Sequence, residues 1–509
     1  MMNRRDFLVS SAAATLLSST GLPAQAPREE HHLPPKALGN DSPGVKEEPV
    51  PEYRWASDSA YEAFRDMKFG VRIHWGMYSF WHDGNTSWPF LDYSFEKRQQ
   101  YNELYKTFNP NGFDATEWMN LFDESGMKMF AFTTKHHEGF SMYDTRTRVR
   151  RRVNYTAAGG PKMEDCDLAY SVMESPFKRD IVKELCTAAR KKNIKIDLYF
   201  SHIYFYDADF RPYSHPLQVP SSVELTGEKN FESIQKKLKD RIITVPDPSP
   251  AEVTRMMARH RAQLVELLTN YGEIDMMCLD LHFGPSVWAE MRKTILLMRS
   301  LQPNVMLRNR GIGAYGDYYT PERYFPTEEQ SDAPWFVIYP LGTDFSYEAD
   351  AAKHKGTGWI IQSLVDSVSK GGNFMVGIGP DMNGQFHPEA QRQIRAAGAW
   401  LKINGEAIYA TRARSASAWF EGETIRYTAS KDRRTVYAIA TQWPGKELLL
   451  AKVQPQMGSE IHLLGYPQAL QWSYDSSRGL SILLPESLQD ADRRPCLFSW
   501  CFRIKIDAV

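Results

Sequence analysis

Asp280 ends the apolar run Met276-Met277-Cys278-Leu279. A carboxylate at the end of a buried strand loses hydration and needs partners. Capping the next helix or loop would meet that need, and so would carrying a reaction; the run alone leaves both open. Other polar residues close comparable runs. His74 ends the first, His136, His137 and Glu138 end the second, and Tyr199 and Ser201 end the third; Arg310 follows the fifth, and Glu322 lies in the loop beyond it. Carboxylates of this kind can serve as nucleophile, acid or base. Imidazoles, neutral or charged, can hydrogen-bond a polyhydroxylated ligand. The adjacent His136 and His137 also raise a metal site. Successive strand residues point to opposite faces, so both reach one ion only where the strand has ended. No His/Asp/Glu set at zinc spacing accompanies them.

Something must bring these strand ends together. Short apolar runs alternate with amphipathic stretches from about Ser57 onward. Strands are predicted over 69–75, 127–134, 194–200, 274–281, 305–308 and 373–379, and helices over 114–125, 178–192, 250–271, 287–301 and 388–402. Such alternation predicts a parallel sheet covered by helices. A count approaching eight predicts a (β/α)₈ barrel, whose reactive residues sit at the C-terminal strand ends; a doubly wound open sheet is the alternative. Residues 205–250 and 323–357 break the pattern and read as lid or subsite loops. After Gly405 the texture becomes short alternating runs (417–419, 424–427, 435–440, 448–450, 461–464, 480–484, 498–504), the pattern of a small antiparallel β-sandwich. The organisation expected is a leader at 1–26, a linker at 27–54, a catalytic barrel at 55–408 and a β-sandwich at 409–509.

The 509 residues carry a net charge of −1, which gives no electrostatic case for nucleic acid or an anionic membrane. Five cysteines are too few for a disulfide scaffold, and their odd number leaves a free thiol; Cys496 and Cys501 are open to pairing. The 13% aromatic content suits stacking on sugar faces, although core filling accounts for most of it. At the N-terminus, Asn3-Arg4-Arg5-Asp6-Phe7-Leu8, an apolar run to Leu22 and Ala24-Gln25-Ala26 form a twin-arginine export signal too short to span a membrane. The protein is expected outside the cytoplasm, periplasmic or secreted, with no membrane span.

Several ordered segments resemble glycoside hydrolase family 29, the α-L-fucosidases. They are Lys68-Phe69-Gly70-Val71-Arg72-Ile73-His74-Trp75-Gly76, Thr134-Lys135-His136-His137-Glu138-Gly139-Phe140, Ser175-Pro176-Phe177-Lys178-Arg179-Asp180, Tyr271-Gly272-Glu273-Ile274-Asp275 leading to Asp280, Ser369-Lys370-Gly371-Gly372-Asn373 and Asn404-Gly405-Glu406-Ala407-Ile408-Tyr409. The resemblance spans about residues 55–412. It implies a retaining exo-glycosidase without metal or organic cofactor, acting on a small glycoside or an oligosaccharide. By the same resemblance Asp280 is the nucleophile and Glu322 the acid/base, with Glu328 and Glu329 as fallbacks; His74, His136, His137, Tyr199 and Arg310 hold the sugar, and Trp88 and Phe345 line its pocket. The implied chemistry is attack by Asp280 to form a glycosyl ester, then hydrolysis with Glu322 switching from acid to base.

The sequence departs from the family at four places. Cys278 stands where a Trp is usual, Glu138 where the motif has Asp, Ser87 where a Glu precedes the pocket Trp, and Trp335-Phe336 where a Trp-Glu pair is usual. Cys278 and Ser87 are expected beside the sugar, so a related L-sugar, as an α-L-galactoside or α-L-glucoside, is the alternative substrate. Two other classes compete: a metal-dependent barrel hydrolase, whose ligand set the sequence does not assemble, and a catalytically silent carbohydrate-binding homologue, against which the presence of both carboxylates speaks.

Overall fold

The computed structural model describes residues 47–213, 248–327, 333–414 and 416–507. The leader, most of the linker, the bulk of the 205–250 insertion, and Glu328 and Glu329 lie outside the described residues.

The core is a curled parallel sheet. Its strands are β1 (Phe69–Ile73), β2 (Met129–Lys135), β5 (Lys195–Ser201), β6 (Met276–Asp280), β7 (Met306–Leu307), β8 (Phe336–Pro340) and β9 (Asn373–Ile378). A hairpin, β3 (Val149–Asn154) with β4 (Lys162–Leu168), is inserted after β2. The sheet runs β7-β6-β5-β2-β1-β9-β8. Residues 317–323 close the gap between β7 and β8 as an irregular stave: the Asn309 N–H donates to Tyr318 O at 2.9 Å and the Ile338 N–H to Pro321 O at 2.9 Å, and Glu322 bridges Ile338 in parallel. Seven regular strands and this segment make the barrel expected from the alternating pattern.

Every barrel strand is buried on both faces, and the two faces differ. Phe69, Val71, Ile73, Phe130, Phe132, Leu198, Leu279 and Val376 belong to the cluster shared with the surrounding helices. Met129, Met276, Met306, Phe336 and Met375 form a separate inner cluster. Tyr61, Phe64 and Met67 of the helix Asp58–Met67 join that cluster and plug the N-terminal mouth. One step higher inside the barrel, at two-residue spacing, come Arg72, Asp197, Cys278 and Arg308, all buried. A barrel interior is ordinarily filled by branched aliphatic side chains; here its middle layer is charged.

Local rules fix the outer helices. Asp114 caps Ala115–Glu124 by accepting the Thr116 N–H at 2.7 Å and the Glu117 N–H at 3.1 Å. Ser249 and Glu252 form a capping box on Pro250–Thr269. Ile181–Lys191, Trp288–Leu301 and Pro388–Asn404 lie where helices are predicted. Phe336–Pro340 and the helix Thr357–Ser369 were not marked by the sequence pattern. That helix is buried on most sides, so it lacks the polar face that betrays a surface helix.

Residues 412–505 form an antiparallel unit of nine short strands folded over one apolar core. Ala416–Trp419, read as part of a strand, is a 3₁₀ turn, and Ala469–Asp475 is an additional strand. The unit packs on the barrel: Trp400 Nε1 donates to Ser499 O at 2.8 Å and Thr428 Oγ1 to Ala407 O at 2.7 Å. All five cysteines are free thiols, Cys496 and Cys501 included. No described helix is long and apolar enough to cross a membrane.

Candidate active site

The side chains that follow the charged layer converge at the C-terminal mouth of the barrel. Asp280 Oδ2 accepts the Tyr199 hydroxyl at 2.6 Å. Its Oδ1 accepts Arg310 Nη1 at 2.6 Å and the Leu281 N–H at 3.0 Å. His137 Nε2 lies 3.8 Å from Oδ2. Tyr199, Arg310 and the Leu281 amide present hydrogens, so Asp280 serves as an acceptor, the arrangement of an ionised carboxylate. Burial and the adjacent Asp280 both push the Tyr199 pKa well above its usual value, which keeps the phenol a donor.

Arg310 Nη1 also reaches Glu322 Oε2, at 3.3 Å. One nitrogen at 2.6 Å from Asp280 Oδ1 and 3.3 Å from Glu322 Oε2 holds those two oxygens at most about 6 Å apart. A retaining glycosidase keeps its carboxyl pair roughly 5 Å apart, whereas an inverting one leaves a wider gap for water.

Backbone strain sets both carboxylates. Leu281, directly after Asp280, and Arg323, directly after Glu322, each have φ of 62°. A left-handed non-glycine residue costs about 1–3 kcal/mol and marks a site held by its surroundings. Gly311 (φ 80°) makes the turn that returns Arg310 to Asp280; a Cβ there would sit 2.6 Å from Leu281 O and 2.7 Å from His202 Cδ2.

The predicted sugar contacts surround this pair. His74 stacks on Phe345 at 4.8 Å and meets the Tyr199 and His136 rings at 5.9 and 5.6 Å. His136 and His137 lie side by side at 4.0 Å between ring centres, and Trp88 meets His137 edge-on at 4.8 Å. Ser87 Oγ hydrogen-bonds His136 Nδ1 at 2.6 Å, and Glu138 Oε2 lies 3.6 Å from the same nitrogen. Among the described residues, no His/Cys/Asp/Glu cluster suits a metal ion.

Cys278 is placed differently from the rest. It has no exposed surface, and its sulfur accepts Arg72 Nη1 at 3.0 Å and Arg308 Nη1 at 3.3 Å. It lies in the layer below the mouth, so guanidinium groups occupy the space a smaller residue would open. Sequence reasoning also passed over Arg308 and Arg323. Arg308 shares the strand-end segment and, at two-residue spacing, the face of Arg310, which is the signal that could have found it. Arg323 donates to Asp344 Oδ1 at 2.7 Å and lies over the Phe345 ring at 4.8 Å, joining the Glu322 segment to the pocket wall.

A parallel barrel with two carboxylates bridged by arginine at its C-terminal mouth, ringed by imidazoles and aromatics, is the architecture of a glycoside hydrolase. The α-L-fucosidase pattern matches residues 45–406 and that of the α-L-fucosidase C-terminal domain matches 421–505. The chain belongs to the α-L-fucosidase family and is a glycoside hydrolase. It is 28% identical over 496 residues to the tissue α-L-fucosidase of Homo sapiens, covering 92% of both chains. It is 26% identical to the plasma α-L-fucosidase of Rattus norvegicus, covering 86% of this chain and 89% of that one. Its fold is similar to α-L-fucosidase isoenzyme 1 from Paenibacillus thiaminolyticus, with TM-score 0.69 and 24% identity over 88% of this chain and 99% of that one. It is also similar to an α-L-fucosidase trapped as a covalent intermediate from Bacteroides thetaiotaomicron, with TM-score 0.67 and 23% identity over 90% and 99%.

Proposed function

We propose that this protein is a retaining exo-α-L-fucosidase in which Asp280 is the nucleophile and Glu322 the acid/base. The observation that carries the reading is the single Arg310 nitrogen shared by both carboxylates, with Tyr199 on the far oxygen of Asp280. Asp280 attacks the anomeric carbon as Glu322 gives its proton to the leaving oxygen; Glu322 then takes a proton from the water that cleaves the glycosyl ester. The covalent intermediate trapped in the Bacteroides thetaiotaomicron enzyme supports the double displacement. His74, His136 and His137 bind the sugar hydroxyls, and Trp88 and Phe345 cover its apolar face. The human and rat relatives, named α-L-fucosidases, support the sugar. Cys278 is buried against Arg72 and Arg308 below the mouth, so its departure from the usual Trp is no argument for a different sugar. The Arg4-Arg5 pair and the apolar run after it, read as an export signal, support export, which fractionation of the source cells for activity tests.

A screen of aryl α-L-fucoside, α-L-galactoside and α-L-glucoside tests the substrate. The fucoside is expected to be cleaved best; preference for either other sugar overturns that part. Asp280→Ala is expected to lower turnover by roughly 10³-fold or more, the scale seen when one member of a catalytic unit is removed. Glu322→Gln is expected to spare aryl substrates with good leaving groups and to be rescued by azide; unaltered turnover of poor leaving groups would return the role to Glu328 or Glu329.

A further inference from the structure

Beneath the carboxylates the barrel holds a buried charged layer. Arg308 has 1% of its surface exposed. Its Nη1 lies 3.7 Å from Asp280 Oδ1, and its Nη2 lies 3.9 Å from Glu322 Oε2. It is therefore almost equidistant from the two, whereas Arg310 is closer to Asp280. Arg308 Nη2 and Nε are buried and meet no hydrogen-bond partner among the described residues. Buried guanidinium donors are costly to leave unspent. A state of the protein in which Nη2 is engaged resolves that cost; Glu322 Oε2 is 3.9 Å from that nitrogen, and Asp197 also draws on the Arg308 charge from below.

The guanidinium is also held in place. Nη1 donates to Cys278 Sγ at 3.3 Å, and the same sulfur accepts Arg72 Nη1 at 3.0 Å. Arg72 in turn lies 4.0 Å from Asp197 Oδ2 and 4.8 Å over the Tyr199 ring. The ionisable groups facing the two carboxyls are His137 after β2, Tyr199 on β5, His202 directly after it, and Arg308 and Arg310 after β7; those around Arg308 and Cys278 are Arg72 on β1, Asp197 on β5 and Tyr318 on the closing stave.

We propose that Arg308 is a positioning residue for the reaction: it is the counter-ion that takes over Glu322 when that residue becomes the base, and Cys278 fixes it there. This rests on the assignment of Asp280 and Glu322 above. Before reaction the negative charge is on Asp280 and Glu322 carries the proton. In the glycosyl-enzyme the ester bond has removed the charge from Asp280, and the proton has left Glu322 with the departing oxygen. The single negative charge has crossed from one carboxyl to the other. A cation midway between them accompanies it without moving far, and the free Nη2 closes on Glu322. The water oxygen then bonds the anomeric carbon while its proton goes to Glu322; the ester bond to Asp280 breaks and the charge returns to Asp280.

The test uses the full-length enzyme and the best aryl α-L-glycoside of the screen above, with a good and a poor leaving group, across the pH range. Losing a nearby cation disfavours both ionised carboxyls. Arg308→Gln is expected to move both limbs of the kcat/KM profile to higher pH by about one unit. It is also expected to slow hydrolysis of the glycosyl-enzyme, seen as a larger burst with the good leaving group, by 10-fold or more. Cys278→Val, which removes the sulfur acceptor, is expected to move the limbs in the same direction by less, and Cys278→Ser, which keeps an acceptor, by less still. Should Arg308→Gln not fold, the Cys278 pair decides. Lower kcat with unmoved limbs and an unchanged burst in the folded variants overturns the proposal and leaves the layer structural. An alkaline limb that survives in Glu322→Gln overturns the acid/base assignment instead, whatever Arg308 does.

Discussion

At the scale of single residues, donors ranged around one carboxylate organise the site. The Tyr199 hydroxyl is a neutral donor to Asp280 at 2.6 Å. Hydrogen bonds to charged groups are worth about 1.5–3 kcal/mol, so Tyr199→Phe should lower kcat/KM by roughly 10- to 100-fold. Its ring is wholly buried and is retained in the variant, so the melting temperature should hardly change; a large drop in melting temperature would point to a structural role instead. Much of this was legible in the sequence. Asp280, Tyr199 and the histidines announce themselves as polar residues closing apolar runs, because a buried strand end exposes only its last residues to the mouth. Arg308 did not, since in a linear reading it is one more basic residue beside Arg310. Cys278 was legible as a substitution but not in its effect, because what fills the space beside it comes from β1 and from the end of β7.

At the scale of elements, turns place the side chains. Gly311 has φ of 80° and no room for a Cβ between Leu281 O and the His202 ring. Gly311→Ala should therefore destabilise by roughly 1–3 kcal/mol, and because the turn carries Arg310 it should lower turnover more than that loss of stability explains; kcat measured well below the melting point separates the two. Helix starts behave more simply. Asp114→Ala removes an acceptor of two backbone N–H groups and should cost about 1 kcal/mol in denaturant unfolding without changing kcat. Caps of this kind are local, and the helix that Asp114 starts lies where the sequence predicts one. The stave 317–323 was not legible, since it has two β-bridged neighbours but no regular pattern of its own. Its geometry is imposed by β7 and β8, and it carries Glu322.

At the scale of the whole molecule, burial of charge inside the barrel links stability to pH. Burial pushes the Asp197 carboxyl up to about 6, against the pull of Arg72 and Arg308. Between about pH 4 and 6 the folded protein thus holds a proton that the unfolded chain has released. Stability should fall as pH rises through that window, by roughly 3 kcal/mol from this group. Asp197→Asn should flatten that part of the curve, read as the difference between variant and parent in denaturant midpoint at pH 4.5 and 6.5. An equal slope in both would assign the pH dependence to other groups. The antiparallel unit is joined to the barrel through the helix Pro388–Asn404, where Trp400 reaches Ser499, so the two should unfold together rather than in sequence.

The sequence by itself determined the alternation of strands and helices, the change to short alternating strands after Gly405, and which polar residues stand at the strand ends. These are local properties: periodicity, caps and the cost of ending an apolar run on a charge. Only the tertiary structure decided which of those ends meet. Closing the sheet put Arg310 between residues 280 and 322, made an irregular segment into the last stave, and stacked Arg72, Asp197, Cys278 and Arg308 into one buried layer. Contacts between residues 206 positions apart, as between Arg72 and Cys278, leave no trace in spacing along a chain. They exist because a barrel's curvature brings first and later strands to a common axis.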